Sequence, residues 1–211
     1  MEGSASVTHM VRRKAQHGQG RVRIIAGAWR GRRIEIPEGT AVRPTPDRVR
    51  ETLFNWLQGA LPGARCLDLY AGTGVLGFEA LSRGAAEVTL VERDAVLVEA
   101  LHATARRLEA APRIVRRDAL AYLREPAAAR FHIAFLDPPY SEPIAPLLEV
   151  LRPWLAPRAL VYVERSLSEG LPAVPSAAWA KQGRAGAVAY GLLEFREATM
   201  PGPSTSEAHL S

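Results

Sequence analysis

The chain has 211 residues, 47% of them hydrophobic and 23% charged, a composition that predicts one globular domain with a sizeable core and room for a small appendage. No run approaches the roughly 20 apolar residues that a membrane-spanning helix needs, and the single cysteine, Cys66, excludes a disulfide scaffold and any site with several thiolates. The formal net charge is +5, but residues 1–50 hold eleven Lys and Arg against four acids, a net +7, while the remainder carries −2.

This basic first quarter of the chain divides into a tail and a hairpin. Residues 1–20 lack hydrophobic periodicity, so we expect a disordered, solvated tail there. Two short β-rich runs, over residues 21–26 and 32–37, then enclose the turn Gly27–Gly31, which predicts a β-hairpin with arginines at its strand ends and turn. Positive charge on one ordered face of a near-neutral body favours nucleic acid as the partner.

A helix is predicted to follow the hairpin. Thr45 can cap its amino terminus, Pro46 suits the first helical position, and Asp47 complements the positive end of the helix dipole. The dipeptide Pro62-Gly63 closes the segment. Apolar residues recur at helical spacing and leave Arg48 on the outer face; they are Val49, Leu53, Trp56 and Leu57.

From residue 65 onward the chain alternates short apolar strands with helices. Strands that are apolar throughout predict an α/β fold with a parallel sheet covered on both faces. The end differs, because two β-rich runs flank a glycine-bounded turn and predict a hairpin, so the sheet finishes antiparallel. We expect strands at Cys66–Tyr70, Glu87–Val91, Arg113–Arg116, His132–Leu136, Ala159–Glu164, Trp179–Gln182 and Val188–Phe195, and helices near 75–83, 95–108, 119–124 and 144–152.

A glycine-rich turn joins the first of these strands to its helix. In Gly72-Thr-Gly74-Val-Leu-Gly77, the first two glycines leave backbone bare for a ligand, and Gly77 lets helix and strand pack closely. Glu92 ends the next strand, where a ribose-binding acid belongs. The pattern predicts an adenosine-type cofactor on a Rossmann-like sheet, with a ligand-free glycine turn as the alternative.

Two acidic residues favour S-adenosylmethionine over a nicotinamide dinucleotide. Asp68 lies four residues before Gly72, where its carboxylate can accept a hydrogen bond from a methionine ammonium but would repel a pyrophosphate. Asp118 follows the third strand and could accept the adenine amino group. The plainer roles stay open: Asp68 could order the loop through backbone N–H groups, and Asp118 could simply cap the next helix.

The loop after the fourth strand reads Asp137-Pro138-Pro139-Tyr140 and leaves the sheet at the same edge as the glycine loop. Two prolines remove N–H donors and stiffen the backbone, so the Asp137 carboxylate and the Pro138 carbonyl could grip both hydrogens of an amine. Tyr140 offers a face on which a base can stack. Two acceptors localise the lone pair of a nucleobase amine, which predicts methyl transfer to its nitrogen by in-line alignment.

These residues together resemble a known family. Asp68, the glycine loop and Asp-Pro-Pro-Tyr are similar to the class I methyltransferases of nucleic-acid amines. Arg23-Ile-Ile-Ala-Gly-x-Trp-Arg-Gly-Arg and Thr45-Pro-Asp-Arg-Val-Arg-Glu-Thr-Leu-Phe-Asn resemble, more specifically, the bacterial small-subunit ribosomal RNA guanine-N2 methyltransferases. The resemblance covers roughly residues 21–197.

The resemblance implies a seven-stranded, mostly parallel sheet with an antiparallel carboxyl-terminal hairpin, and S-adenosylmethionine as the cofactor. It implies a ribosomal RNA substrate within a partly assembled small subunit, and we expect a cytoplasmic monomer that spans no membrane. It also assigns roles. The catalytic residues are Asp137, Pro138, Pro139 and Tyr140; the cofactor residues are Asp68, Ala71, Gly72, Gly74, Glu92, Asp118 and Ala119; the RNA-docking residues are Arg30, Arg32, Arg33, Arg43, Thr45 and Arg48.

Other readings of the sequence remain at this stage. An adenine-N6 methyltransferase acting on DNA or RNA shares the Asp-Pro-Pro-Tyr motif, an NAD-dependent oxidoreductase shares the glycine pattern, and an RNA-binding protein could keep a dead cofactor site. The five histidines have no metal-ligand spacing, so no metal is expected. The predicted organisation is a tail at 1–20, a hairpin extension at 21–44, the methyltransferase domain at 45–197 and a disordered tail at 198–211.

Overall fold

The computed structural model describes residues 20–40, 42, 45–139 and 141–195. Two residues with predicted roles, Arg43 and Tyr140, lie outside these ranges, as do residues 1–19 and 196–211. The predictions for them, and the division into domains, stay predictions. Within the described residues, no helix is long and apolar enough to cross a bilayer.

In chain order, a small hairpin and one helix precede an alternation of strands and helices that ends in three consecutive strands. The strands are β1 (Arg21–Arg23), β2 (Arg33–Glu35), β3 (Arg65–Asp68), β4 (Glu87–Glu92), β5 (Arg113–Arg116), β6 (Phe131–Leu136), β7 (Leu155–Ser166), β8 (Ala177–Ala185) and β9 (Val188–Phe195). The helices are α1 (Asp47–Trp56), α2 (Val75–Ser82), α3 (Ala95–Leu108), α4 (Ala119–Leu123) and α5 (Ile144–Leu151).

The central sheet has the strand order β5-β4-β3-β6-β7-β9-β8. Strands β3 to β7 run parallel, and β9 is antiparallel to both of its neighbours. The predicted fold class is therefore confirmed: a Rossmann-like, mostly parallel sheet with an antiparallel hairpin at its carboxyl-terminal end. Because β3 lies between β4 and β6, the order reverses at β3, and the loops after β3 and β6 meet at the edge where such sheets bind ligands.

Each face of the sheet carries its own apolar core. One core contains residues of the hairpin, α1, α2 and α3, with Leu53 and Phe78 fully buried. The other contains residues of α4 and α5, with Leu148 almost fully buried. Close packing on the first face depends on Gly77 in α2, because a Cβ there would lie 2.3 Å from Leu90 Cδ2 on β4. The predicted packing role of Gly77 is confirmed.

The predicted amino-terminal hairpin forms, with Val22 opposite Ile34 in the antiparallel pair β1–β2. Its turn docks on the end of α2, where the Ala28 N–H donates to the Ser82 carbonyl over 2.7 Å. Gly27 is required there: its φ is +84°, and a Cβ would lie 1.8 Å from the Ser82 carbonyl oxygen.

A buried carboxylate, Glu79 on α2, joins the hairpin to the body. The N–H groups of Ile25 and Ala26 donate to its two oxygens over 2.7 and 3.0 Å. Arg50 of α1 lies 3.5 Å from the same carboxylate, and the side chains of Glu79 and Arg50 are both fully buried. Arg50 also donates to the Arg23 carbonyl on β1 over 2.9 Å. The basic hairpin is thus held to the sheet by charge-assisted hydrogen bonds in the interior.

Some predicted boundaries are wrong for local reasons. Helix α1 begins at Asp47 with Pro46 in the N-cap position and no side-chain cap, so Thr45 does not cap it. The helix also ends at Trp56, six residues before Pro62. Strand β7 is longer than predicted because its first half pairs across a bulge beside Phe131. Asp94 caps α3, where its side chain accepts from two backbone N–H groups.

The buried carboxylate of Glu79 can be tested by truncation. We expect Glu79→Ala to lower the free energy of unfolding by about 3–5 kcal/mol, because it removes the acceptor of two hairpin N–H groups and a carboxylate that, together with Asp47, pairs with the buried Arg50 guanidinium. Urea unfolding followed by circular dichroism measures this. Glu99→Ala, on the exposed face of α3, is the matched control and should change the value by less than about 0.5 kcal/mol. Equal effects of the two substitutions would contradict the proposed anchoring.

Candidate active site

Three carboxylates meet at the carboxyl edge of the sheet. Asp68 ends β3, Asp137 directly follows β6, and Glu164 lies near the end of β7. Leu136 pairs with Val163 in the parallel register of β6 and β7, so Asp137 and Glu164 are the next pair along and face the same side. Asp68 is opposite Phe135 on the neighbouring strand. Both Asp68 and Glu164 raise the pKa of Asp137 through their charges.

Asp68, a predicted cofactor residue, is buried, at 3% exposure. Its carboxylate accepts a hydrogen bond from the Gly77 N–H over 3.3 Å and a second from the Tyr70 backbone. Burial raises the pKa of Asp68 to about 7, against the lowering effect of the Gly77 hydrogen bond, and the Glu92 charge raises it further. Asp68 therefore does order the glycine loop, and it is also a strong acceptor that a cationic ligand would stabilise.

The glycine loop is held from β4 by Glu92. The Gly72 N–H donates to Glu92 Oε2 over 2.8 Å, and the Asp94 N–H donates to Oε1 over 2.9 Å. Each carboxylate oxygen keeps a further lone pair that could accept a hydroxyl. Gly74 is predicted to leave backbone bare for a ligand, and the structure adds a second requirement for glycine at this position. A Cβ there would lie 2.5 Å from Leu101 Cδ2 at a φ of +75°, so core packing already requires glycine.

The remaining predicted cofactor residues lie in the glycine loop and at the start of α4. Ala71 and Ala119 are both buried, and the Ala71 N–H donates to the Val91 carbonyl over 3.0 Å. Asp118 caps α4 through the Ala121 N–H at 3.0 Å, so the plainer of its two expected roles is confirmed. Its other oxygen lies 4.0 Å from Arg93 Nη1. The adenine contact of Asp118 stays a prediction.

The loop after β6 presents acceptors, as its two prolines predict. The Pro139 carbonyl accepts from the Glu142 N–H over 2.8 Å and lies 3.5 Å from Arg165 Nη1. Among the described residues, neither the Pro138 carbonyl nor the half-buried Asp137 carboxylate accepts a hydrogen bond. Burial raises the pKa of Asp137 well above its ordinary value, and only Arg165 opposes this. A ligand amine could donate to both acceptors, which no described residue does.

Three contacts at this site were not predicted from the sequence. Tyr70, within the glycine loop, donates its hydroxyl to Glu142 Oε2 over 2.6 Å and so ties that loop to the Asp137 loop. Glu164, 5% exposed, accepts from the Tyr162 hydroxyl over 2.7 Å and from the Thr45 side chain. The available signal for Glu164 was its position, an acid at the end of a predicted strand on the same edge as Asp68.

The predicted RNA-docking residues divide into two groups. Arg30, Arg32, Arg33 and Arg48 are exposed, and Arg32 donates to the Arg107 carbonyl of α3 over 2.6 Å. Thr45 is different, because it is only 4% exposed and its side chain hydrogen-bonds Glu164. Thr45 thus belongs to the carboxylate cluster rather than to the basic surface.

Residues without an assigned role are consistent with structural ones. Cys66 is fully buried in the core, where burial raises the pKa of its thiol to about 12. His132 accepts the Arg65 N–H at Nδ1 over 3.0 Å at the start of β6. Within the part of the chain that the structure describes, no group of three His, Cys, Asp or Glu side chains is placed to hold a metal ion.

Comparison with known proteins identifies the family. The family described as Conserved hypothetical protein 95 matches residues 22–194. Ribosomal RNA small subunit methyltransferase D of Escherichia coli (strain K12) is 45% identical over 194 residues, covering 88% of this chain and 96% of that protein. The chain belongs to this family. Its Haemophilus influenzae member is 38% identical over 187 residues, covering 84% of this chain and 96% of the relative. The resemblance predicted from the sequence is confirmed.

Solved structures agree with this family membership. A candidate methyltransferase from Escherichia coli is 40% identical, with a TM-score of 0.78, and the match covers 85% of this chain and 100% of that one. A candidate methyltransferase solved with S-adenosylhomocysteine is 14% identical, with a TM-score of 0.60, over 70% of this chain and 48% of that one. The second comparison shows the shared fold alone, which is the class I methyltransferase fold.

The donor-free carboxylate of Asp137 should lower stability as the pH rises. A carboxyl whose pKa is raised in the folded state binds more protons folded than unfolded, so the free energy of unfolding falls as pH increases from about 4 through the raised pKa. We expect Asp137→Asn to gain stability relative to wild type as the pH is raised from 4.5 to 8, because the amide carries no charge to desolvate. Urea unfolding at both pH values measures this. A difference no larger than that of the exposed control Glu99→Gln would contradict it.

Proposed function

We propose that this protein is an S-adenosylmethionine-dependent enzyme that methylates the exocyclic N2 amine of a guanine in small-subunit ribosomal RNA. The observation that carries the proposal is a pair of acceptors, the Asp137 carboxylate and the Pro138 carbonyl, to which no described residue donates, at the sheet edge where the glycine loop lies. Family membership with ribosomal RNA small subunit methyltransferase D supports the substrate class. A protein that modifies immature ribosomal subunits would act in the cytoplasm.

The charge of the pocket fits the proposed cofactor. Asp68, Glu92 and Asp118 surround the glycine loop with carboxylates, which suits a ligand that carries an ammonium and a sulfonium and would repel a pyrophosphate. Asp68 would hold the ammonium, Glu92 the ribose hydroxyls and Asp118 the adenine. When bound, S-adenosylmethionine supplies a methyl group made reactive by its sulfonium. The same charges argue against a nicotinamide dinucleotide.

The substrate amine would be activated by hydrogen bonding alone. Its nitrogen is a weak nucleophile because the lone pair is delocalised into the purine ring. The Asp137 carboxylate and the Pro138 carbonyl would accept one hydrogen each, which draws the nitrogen toward tetrahedral geometry and stabilises the positive charge that develops on it. Tyr140 would stack on the base, and the rigid two-proline loop would keep the nitrogen aligned with the methyl carbon.

The basic hairpin would dock the RNA on the same body. Arg30, Arg32 and Arg33 lie exposed on a hairpin that Glu79 and Arg50 hold to the sheet. Arginine presents a planar fork that suits phosphate oxygens. RNA bound there would be positioned relative to Asp137 without a flexible joint.

Identification of the product tests the proposed function. The protein is incubated with methyl-labelled S-adenosylmethionine and immature small ribosomal subunits, and the RNA is digested to nucleosides for mass analysis. We expect label in N2-methylguanosine, confined to small-subunit RNA. Label in N6-methyladenosine would overturn the proposed specificity, and no label in any nucleoside would overturn the proposed reaction.

Removal of the Asp137 carboxylate should separate catalysis from cofactor binding. Asp137→Ala loses an acceptor that stabilises the transition state, so we expect the methylation rate to fall by at least about 100-fold. Affinity for S-adenosylmethionine, measured by calorimetric titration, should change less than about threefold, since Asp68 and Glu92 are intact. Glu99→Ala is the control for both measurements. Near-normal turnover of Asp137→Ala would refute the amine-gripping role.

The RNA-docking surface predicts a salt dependence. Replacing Arg30, Arg32 and Arg33 together by Gln should reduce the slope of log affinity against log salt by about 2–3, because about 0.7–0.9 counterions are released per phosphate contact. Filter binding to immature small subunits at several salt concentrations measures it. A control triple variant with the same charge change, at exposed arginines outside the hairpin, should keep the slope: Arg124, Arg130 and Arg152, each to Gln. An unchanged slope in the hairpin variant would contradict the assignment.

A further inference from the structure

We propose that Glu164 is a positioning residue that makes Asp137 the acceptor of the proton released from the methylated amine. The inference deepens the proposed function and rests on it. Of the three carboxylates at this edge, the sequence patterns assigned roles to Asp68 and Asp137 but none to Glu164. Because Glu164 lies beside Asp137 in the sheet, its charge acts on Asp137.

The geometry of β6 and β7 brings the two carboxylates together. Phe135 pairs with Tyr162 and Leu136 with Val163, so the next step along the register sets Asp137 beside Glu164. The pleat turns both toward the face that carries Phe135 and Tyr162. Glu164 is 5% exposed, which keeps its charge poorly screened by water.

Two hydroxyl donors stabilise the charged form of the Glu164 carboxylate. Tyr162 donates to Glu164 Oε2 over 2.7 Å, and Thr45 donates from the segment that precedes α1. Burial raises the pKa of Glu164, while these two hydrogen bonds oppose that shift by favouring its charged form. Among the described residues, no hydrogen-bond donor does the same for Asp137. Thr45 is itself held in place, because Arg50 Nε donates to its carbonyl over 3.2 Å.

The charges that face Asp137 come from two strands. Glu164 and Arg165 belong to β7 and Asp68 to β3; the two acids raise the pKa of Asp137, and Arg165 lowers it. Arg165 also bonds the Pro139 carbonyl and the Glu169 carboxylate, so its charge is shared. Burial and the two negative charges raise the pKa of Asp137 by more than the Arg165 charge lowers it, so Asp137 is more basic than an ordinary carboxylate.

This basicity matters at one step of the proposed reaction. The amine lone pair forms the new N–C bond as the C–S bond breaks, and the electron pair of that bond stays on sulfur. The nitrogen then carries a positive charge and two hydrogens, each bonded to an acceptor. One proton passes to the Asp137 carboxylate, which restores the neutral ring, and water takes it from Asp137 after the product leaves. The Pro138 carbonyl cannot take that proton, so the burden falls on Asp137.

The test measures the protonation of Asp137 directly. Carbon-13 carboxyl NMR of aspartate-labelled protein is followed against pH, and the Asp137 signal is identified by its loss in Asp137→Asn. We expect Glu164→Gln to lower the Asp137 titration midpoint by about one pH unit or more, because a like charge is removed. Thr45→Val should shift it in the same direction by less, since Glu164 loses a donor and becomes easier to neutralise. Glu164→Asp keeps the charge and should restore most of the wild-type midpoint.

The pH dependence of methyl transfer supplies the second readout. Single-turnover rates should rise with pH as Asp137 deprotonates, and this limb should move to lower pH in Glu164→Gln, with a lower plateau. A fixed Asp137 midpoint in both Glu164→Gln and Thr45→Val would overturn the proposal, as would a shifted midpoint with an unmoved rate limb. Thr45→Val keeps the test decisive if Glu164→Gln does not fold. The NMR result needs no turnover, so a wrong product identity would defeat the proposed function while leaving the Asp137–Glu164 pairing to be judged separately.

Discussion

Among the described residues, no group donates a hydrogen bond to the half-buried carboxylate of Asp137, and the site depends on this constraint. Asp137 lies beside Glu164 and Asp68, and the prolines that follow it supply no N–H group. Burying such a group costs free energy unless a partner arrives, and an amine with two hydrogens is the partner that relieves it. The site is thus built to bind an –NH2 group and to stabilise the positive charge that alkylation creates on its nitrogen.

Strands and hydrogen bonds hold these carboxylates in place. Asp68 and Glu164 are fixed within strands, and Tyr70 links the glycine loop to the Asp137 loop through Glu142. Arg50 reaches the hairpin, Glu79 and the Thr45 carbonyl at once, so the basic surface and the carboxylate cluster belong to one network of buried hydrogen bonds. RNA bound to the hairpin would therefore lie at a fixed position relative to the carboxylates of the site.

Much of this could be predicted from local sequence. The α/β alternation, the closing hairpin, the helix cap at Asp94 and the packing role of Gly77 each depend on a few neighbouring residues. What could not be predicted depends on residues far apart in the chain. The buried pair of Arg50 with Glu79 and the hydrogen bond from Thr45 to Glu164 each join residues that only the fold brings together. Tyr140 and Arg43 lie outside the described residues, so their roles remain predictions.

The proposed reaction depends on the position of the Asp137 loop relative to the methyl carbon of bound S-adenosylmethionine. A crystal structure of the protein with S-adenosylhomocysteine would locate the sulfur and hence the methyl position. We predict that a nitrogen set about 3 Å from both the Asp137 carboxylate and the Pro138 carbonyl falls within about 3.5 Å of that carbon, in line with the sulfur. A gap too wide for any purine amine to bridge, with both loops in place, would contradict it.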